Sequence, residues 1–516
     1  MSFLFLNKNK RKQKHMSLLK EGIKMKDTGS SKQITTMTFI GMTCALVASV
    51  RNIPDVAATS WTMIFYMLVA VLLYAFPISL ISGEFAGMFP KKGGPELWVS
   101  NALGKKWGFV VSWLLWVQMF PGMVMVASAL APLFGNIIDN VPLGLNSKFT
   151  LVVILVVYWI ITFLNLKFDM AKIGGKVGVW LGLYVPLTMM LLLGFAAWIK
   201  VGIVPTGTLG SFSWDKLIPD TTTASSFVYF APIMFIFTGI EMSSVYITRL
   251  KNPVKTYIRG VFAALIFIFF VNILNALVVA NVVPKGQMEL NNIAQSISIY
   301  CQILGLPHLI VNLFSLLVFI GVAVQLSAWA SGPAKTVTES ARKGAYPPKF
   351  NFWKTNQFDV SKSVILTQSV IISIFALFYL LIPGVNQAFL MLVNSTTVIY
   401  CIVYVIMGIA VLRLRYTHAK LNRPFRIGKK EKKSNLGVWT VVIVLFAAIG
   451  FSVGLTMKAG TWINLIAVTA ISVILFVVPL CIEKIKKPSW EQEVAMLLEK
   501  EKGELDGKTG NETDSN

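Results

Sequence analysis

Residues 46–55 read Leu46-Val47-Ala48-Ser49-Val50-Arg51-Asn52-Ile53-Pro54-Asp55. They sit inside an apolar segment, 35–59, long enough to cross a bilayer as a helix. Yet they hold a cation, an anion and a proline. Proline lacks a backbone donor and pushes the residue before it away from helix, so the segment reads as a membrane helix that is interrupted. Arg51 stands eight residues before the segment's end, which is about 12 Å and close to mid-membrane. A charge at that depth is expensive and marks a functional site by default. A second stretch has the same character: Phe235-Ile236-Phe237-Thr238-Gly239-Ile240-Glu241-Met242-Ser243-Ser244. There a glycine and two serines surround a carboxylate that lipid does not tolerate. Unwound backbone at two such places lines a wet cavity and frees amides and half-helix ends to grip a zwitterion.

The rest of the chain sets these two stretches in a membrane. Of its 516 residues, 55% are hydrophobic and 14% charged, and the mean hydropathy is +0.68. A soluble domain carries about a quarter charged residues, so a cytosolic enzyme is excluded. The apolar residues gather into twelve segments, numbered here as spans 1 to 12: 35–59, 62–82, 107–135, 149–166, 177–199, 225–248, 258–281, 308–332, 363–383, 386–412, 437–457 and 459–482. Most are long enough to cover a hydrocarbon core of roughly 30 Å.

The net charge of +24 invites a nucleic-acid reading, but its distribution refutes it. With the amino terminus placed in the cytoplasm, about forty of the 47 Lys and Arg residues fall on the inner side. The outer side holds Lys148, Lys200, Lys216, Lys285 and Lys458. This is the positive-inside rule, and it places both termini in the cytoplasm of a multi-pass plasma-membrane protein. The chain divides into a basic tail (1–34), a core of spans 1–10 (35–412), a basic loop (413–436), spans 11 and 12 (437–482) and an acidic tail (483–516). The first tail has no apolar core followed by small residues, so it does not read as a cleaved signal. The last is expected to be floppy or weakly helical, with a short pattern at Val494, Leu497 and Leu498. Cys44, Cys401 and Cys481 lie in spans and Cys301 near the outer face, and no metal-ligand spacing appears. Neither a metal nor another cofactor is expected.

Few other charges enter the spans. Asp55 follows Arg51 by four residues, and the two either pair on one helix face or serve a ligand separately. Glu241 is either a structural cap for the restarted helix or a functional carboxylate. Glu84, at the inner end of span 2, reads as a tie to an inner loop, and Lys176 as a snorkelling or a functional amine. Five helices separate the start of span 1 from that of span 6, so a repeat beginning at each is inverted in the membrane. Inverted repeats with broken helices are how many secondary transporters build a midplane site.

At these residues the chain resembles the amino acid–polyamine–organocation superfamily, and within it the bacterial glutamate/GABA antiporter-like permeases. The resemblance runs from about Gln33 to Pro424 and rests on four stretches in order. They are FPISLISGEFAGMFPKKGGPELWVSNALGKKWGF (76–109), FTGIEMSSVYITRLKNPVKTY (237–257), GVAVQLSAWASGPAKTVTESARKGAYPPKF (321–350) and RLRYTHAKLNRPFRI (413–427). It implies an all-α membrane protein of the LeuT type, with twelve transmembrane helices arranged as a 5+5 inverted repeat plus two peripheral helices. It also implies alternating-access transport of an amino acid or its amine. Carried over by position, the substrate-binding residues are Ala48, Ser49, Val50, Arg51, Gly239 and Ile240. Glu241 is the proton-coupling carboxylate, Phe235 and Trp329 are gating aromatics, and Lys176 is an amine in the place of a sodium ion. Many superfamily members have Gly-Ser-Gly where this chain has Ala48-Ser49-Val50, and the glutamate/GABA antiporters have a tyrosine in the place of Arg51. A guanidinium there either binds a second substrate carboxylate or is neutralised by Asp55 or Glu241.

The function expected is therefore an amino acid/amine or amino acid/amino acid antiporter that works without sodium, as a monomer or homodimer. A proton-coupled symporter on the same fold is the alternative, and a channel or transporter-like receptor a remote one. An enzyme is not expected, since no P-loop, metal or nucleophile motif stands on an exposed loop. The partners expected are the substrate, protons and the lipid bilayer, without nucleic acid.

Overall fold

The computed structural model describes residues 34–47, 50–89, 94–168, 180–220, 222, 227–250, 252–382, 384–428 and 435–500. Among them, ten helices are long and apolar enough to cross a membrane. These are Ser60–Met88, Lys105–Ile137, Ser147–Lys167, Trp180–Val201, Lys255–Val282, Leu309–Arg342, Lys362–Leu381, Val385–Thr417, Leu436–Ala459 and Trp462–Ile485. They correspond to spans 2–5 and 7–12. The helices run past the apolar segments because a helix does not end where the hydrocarbon does. Span 8 continues ten residues beyond its expected end, through Pro333 to Arg342.

Spans 1 and 6 are the two that are not continuous helices. Span 1 is helical over Thr36–Val47; beyond residues 48–49 it resumes as a tight 3₁₀ turn, Val50–Asn52, and a short helix, Ile53–Ala57. Pro54 stands in that helix's first turn, where its missing N–H costs nothing. Span 6 begins as a short helix, Phe230–Phe235, and resumes as the 3₁₀ stretch Ile240–Arg249. Between them Gly239 takes φ +87°, a backbone that a β-carbon would strain.

The helices sort into two packed bodies. In one, span 7 lies along both halves of span 1 and against spans 2 and 6. Gly260 lets it approach so closely that a β-carbon there would run into the ring of Phe39. In the other, spans 3, 4, 8 and 9 are joined by buried polar side chains. Trp116 donates to Gln368 Oε1 at 2.9 Å, and Gln368 donates to the Tyr158 hydroxyl at 2.8 Å. Asn165 donates to Ser327 at 2.8 Å, and the Thr162 and Ser369 hydroxyls are 2.8 Å apart. Lipid is as apolar as leucine, so bonds of this kind and close small-residue contacts hold membrane helices together where burial cannot. Span 5 crosses span 8 at Gly182 and Gly321, backbone on backbone, with a β-carbon on Gly182 falling 2.9 Å from the Gly321 carbonyl carbon.

The inner end of span 2 is tied to the basic loop after span 10. Glu84 is fully buried, and Arg415 Nη2 donates to its Oε2 at 2.5 Å, as does the Ile427 amide at 3.0 Å. Arg423 Nε is 3.3 Å from Glu84 Oε1, close enough to attract but not aligned as a hydrogen bond. The tail, expected to be floppy or weakly helical, is helical over 489–500. Val494 is buried, and the backbone of Glu491 presses on Gly344 at the inner end of span 8. Apolar residues four apart, Val494 and Leu498, supply the face that holds it there.

Removing one charge of a buried pair strands the other. Glu84→Gln is expected to cost about 3–5 kcal/mol of stability. Glu84→Gln with Arg415→Gln together should recover part of it, as read by thermal unfolding in detergent.

Candidate functional site

The site lies where the two interrupted spans face their neighbours. Glu241 sits at the second residue of the restarted segment of span 6 and is fully buried. Span 10 supplies both of its donors. The Tyr400 hydroxyl donates to Oε1 at 3.0 Å and the Tyr404 hydroxyl to Oε2 at 2.6 Å. Tyr404 does a second job: its oxygen accepts from the Gly239 amide at 2.9 Å. An amide freed by the break in span 6 thus finds an acceptor, which buried backbone requires. The two tyrosine rings lie 5.2 Å apart, and Tyr74 of span 2 meets Tyr404 edge-on at 5.6 Å. A β-carbon on Gly239 would lie 3.4 Å from the Tyr400 hydroxyl, so the site has little room to relax.

Span 1 brings the opposite charge. Val50 and Arg51 are buried on the 3₁₀ turn, and the guanidinium carbon of Arg51 lies 5.1 Å from the centre of the Trp329 ring of span 8. That is a cation–π contact. Asp55 is also buried. Its Oδ1 has no hydrogen-bond partner among the described residues, and Tyr229, at the start of span 6, lies near enough to feel its charge.

Of the residues named from sequence, the structure brings Arg51 and Trp329 into contact and places Gly239, Ile240 and Glu241 in one continuous stretch. Ile240 is buried, and Phe235 is half-buried on the last turn of the first helix of span 6. Ala48, Ser49 and Lys176 lie outside the described residues. Tyr400 and Tyr404 were not anticipated. Their signal was present: two hydroxyls four residues apart, on one face of a helix, in an uncharged span.

The family model for amino acid permeases matches residues 34–482. An uncharacterized transporter of Legionella pneumophila is 26% identical over 430 residues, covering 82% of this chain and 90% of that one. A glutamate/gamma-aminobutyrate antiporter of Lactococcus lactis subsp. lactis is 26% identical over 433 residues, covering 81% and 83%. Among solved structures, MhsT in complex with L-phenylalanine superposes with a TM-score of 0.54, covering 84% of this chain and 100% of that one at 13% identity. The likeness shows the fold, which is the LeuT-type inverted repeat with two peripheral helices.

Tyr404 bonds both the carboxylate and the freed amide, whereas Tyr400 bonds the carboxylate alone. Tyr404→Phe should therefore cost about 2 kcal/mol and Tyr400→Phe about 1 kcal/mol, measured as thermal stability in detergent. The reverse order would count against the geometry.

Proposed function

Because this chain belongs to the amino acid permease family of multi-pass membrane proteins, we propose that it is a secondary active antiporter. It exchanges an amino acid for an amine or for a second amino acid by alternating access and without sodium. The observation that carries this reading is the buried Glu241, held by span 10 at the point where span 6 loses its helix. Beside it, the interruptions of spans 1 and 6 offer a zwitterion half-helix ends near one another. Val50, Arg51, Gly239 and Ile240, with Ala48 and Ser49 next to them in sequence, are the residues we assign to substrate. Phe235 and Trp329 close over it, and Lys176 takes the role of a sodium ion. The relative from Lactococcus, named as an exchanger of glutamate and gamma-aminobutyrate, supports exchange over channel behaviour.

The two packed bodies support a rocking cycle. Spans 1, 2, 6 and 7 cohere largely through apolar and glycine contacts, with a hydrogen bond from Tyr257 to Ser82, while spans 3, 4, 8 and 9 are joined by several buried hydrogen bonds. A site between them opens to one side and then the other when the first body tilts against the second. Glu241 accepts hydrogen bonds from the neutral hydroxyls of Tyr400 and Tyr404, and no ion pair among the described residues holds it. It is thus suited to take up and release a proton during that motion, in a plasma membrane with both termini cytoplasmic.

Counterflow in proteoliposomes tests the exchange. Vesicles are loaded with unlabelled amino acids and amines, and uptake of labelled glutamate, arginine and leucine is followed without sodium. Uptake that needs an internal partner is expected. Uptake into empty vesicles driven by an inward proton gradient would replace exchange with symport. Glu241→Gln should flatten the pH dependence of uptake, and an unchanged pH profile would remove Glu241 from the proton step.

A further inference from the structure

We infer that the inner ends of spans 2, 10 and 11, with the loop that follows span 10, form a headgroup site for an anionic phospholipid, in which Arg426 holds the phosphate. The charges there do not balance. Glu84 is fully buried and takes Arg415 at 2.5 Å and Arg423 at 3.3 Å. Arg426 stands close enough for its charge to be felt at Arg423. Three guanidiniums thus share one carboxylate, and among the described residues no other acid forms an ion pair with any of them. Burial and, behind it, the charges of Arg415 and Arg426 lower Arg423 from the usual arginine value, against the pull of Glu84.

The hydrogen bonds show where the excess lies. Arg423 is committed, since its two terminal nitrogens donate to the carbonyls of Leu414, His418, Ala419 and Leu421. Arg415 uses Nη2 on Glu84 and the Ile427 carbonyl, while its Nε and Nη1 are buried without a partner. The side chain of Arg426 makes no hydrogen bond or ion pair among the described residues; it is half-buried, and its Nε is bare. A guanidinium partly out of water that no protein acceptor meets is completed by an anion from outside. Its backbone is already held in place. A β-carbon on Gly83 of span 2 would lie 3.5 Å from the Phe425 ring, and one on Gly428 would lie 3.7 Å from Gly437 at the start of span 11. A loop pinned on both sides of Arg426 loses little freedom when a ligand binds.

The depth of the site selects a lipid. The Trp439 indole, on the first turn of span 11, donates at 2.8 Å to the Tyr416 hydroxyl on the last turn of span 10, and both rings are exposed. Amphipathic rings of this kind collect at the level of the headgroups. Ile409, two turns before Tyr416, and Ile443, one turn after Trp439, are exposed as well and give an acyl chain an apolar surface to lie along. A free phosphate has no such chain, and a zwitterionic lipid brings a cation with its phosphate. An anionic phospholipid answers both the charge and the depth.

The test is thermal unfolding of the full chain in detergent, titrated with short-chain phosphatidylglycerol, with phosphatidylcholine of the same chain length, or with glycerol phosphate. Phosphatidylglycerol is expected to raise the midpoint in a saturable way, because a ligand bound by the folded state alone stabilises it by mass action. The other two should leave it in place at equal concentration. Arg426→Gln should need about tenfold more phosphatidylglycerol for the half-maximal shift, the loss of one charge-assisted contact. Arg413→Gln removes an exposed arginine outside the cluster and should titrate as the wild type does. An equal shift with phosphatidylcholine would overturn the requirement for charge, and an equal shift with glycerol phosphate would make this a site for a free anion rather than a lipid. Equal weakening in Arg413→Gln and Arg426→Gln would reduce it to diffuse attraction by a basic loop. The wild-type titrations need no variant to fold, and the absence of any shift with phosphatidylglycerol would end the inference.

Discussion

The constraint on which this structure depends is that lipid offers no partner to an open backbone amide. Among the described residues, ten spans meet it as long helices, whose N–H groups bond largely within the helix. Spans 1 and 6 do not, and much of the chemistry gathers where they fail. At Gly239 the freed amide is taken by a side chain from another helix, Tyr404, and the same hydroxyl turns to the carboxylate of Glu241. One oxygen atom therefore repairs a backbone defect and positions an ionisable group. The break and the site are a single feature: without the break no amide needs Tyr404, and without Tyr404 the break leaves a buried donor bare.

The two bodies are glued by different means, and the difference suits their tasks. Spans 3, 4, 8 and 9 interlock through directional bonds between Trp116, Gln368 and Tyr158 and between Asn165 and Ser327. Such bonds are lost when geometry shifts by an ångström, so they fix a frame. Spans 1, 2, 6 and 7 meet mainly through apolar surfaces and the close approach of Gly260 to Phe39. Contacts of that sort tolerate small rigid displacement of the whole group. The tie between Glu84 and Arg415 then joins span 2 to span 10 at the inner face.

Much of the architecture was legible in the sequence because hydropathy reports directly on which segments can cross a membrane. The two broken spans were also legible, since Pro54 and Gly239 act on their own backbone. What could not be read was which side chains meet. Arg51 meets the ring of Trp329, which stands on another span far along the chain. Tyr400 and Tyr404 are separated from Glu241 by about 160 residues of chain. Nothing local to span 10 says that its hydroxyls face a carboxylate rather than a packed core. The helix at 489–500 was legible only as a short pattern, because a short amphipathic segment is marginal alone and becomes a helix when Val494 has somewhere to be buried.

The crossing of Gly182 and Gly321 has a mechanical consequence. Where helices interdigitate, a sliding or rolling movement must lift side chains out of one set of grooves and into another, and each step has a barrier. At this crossing the two chains touch without any side chain between them. At that point of contact no rotamer has to change and no ridge has to be climbed when the two helices shift against each other. The same bareness makes the point intolerant: a single methyl group at either position would wedge the helices apart.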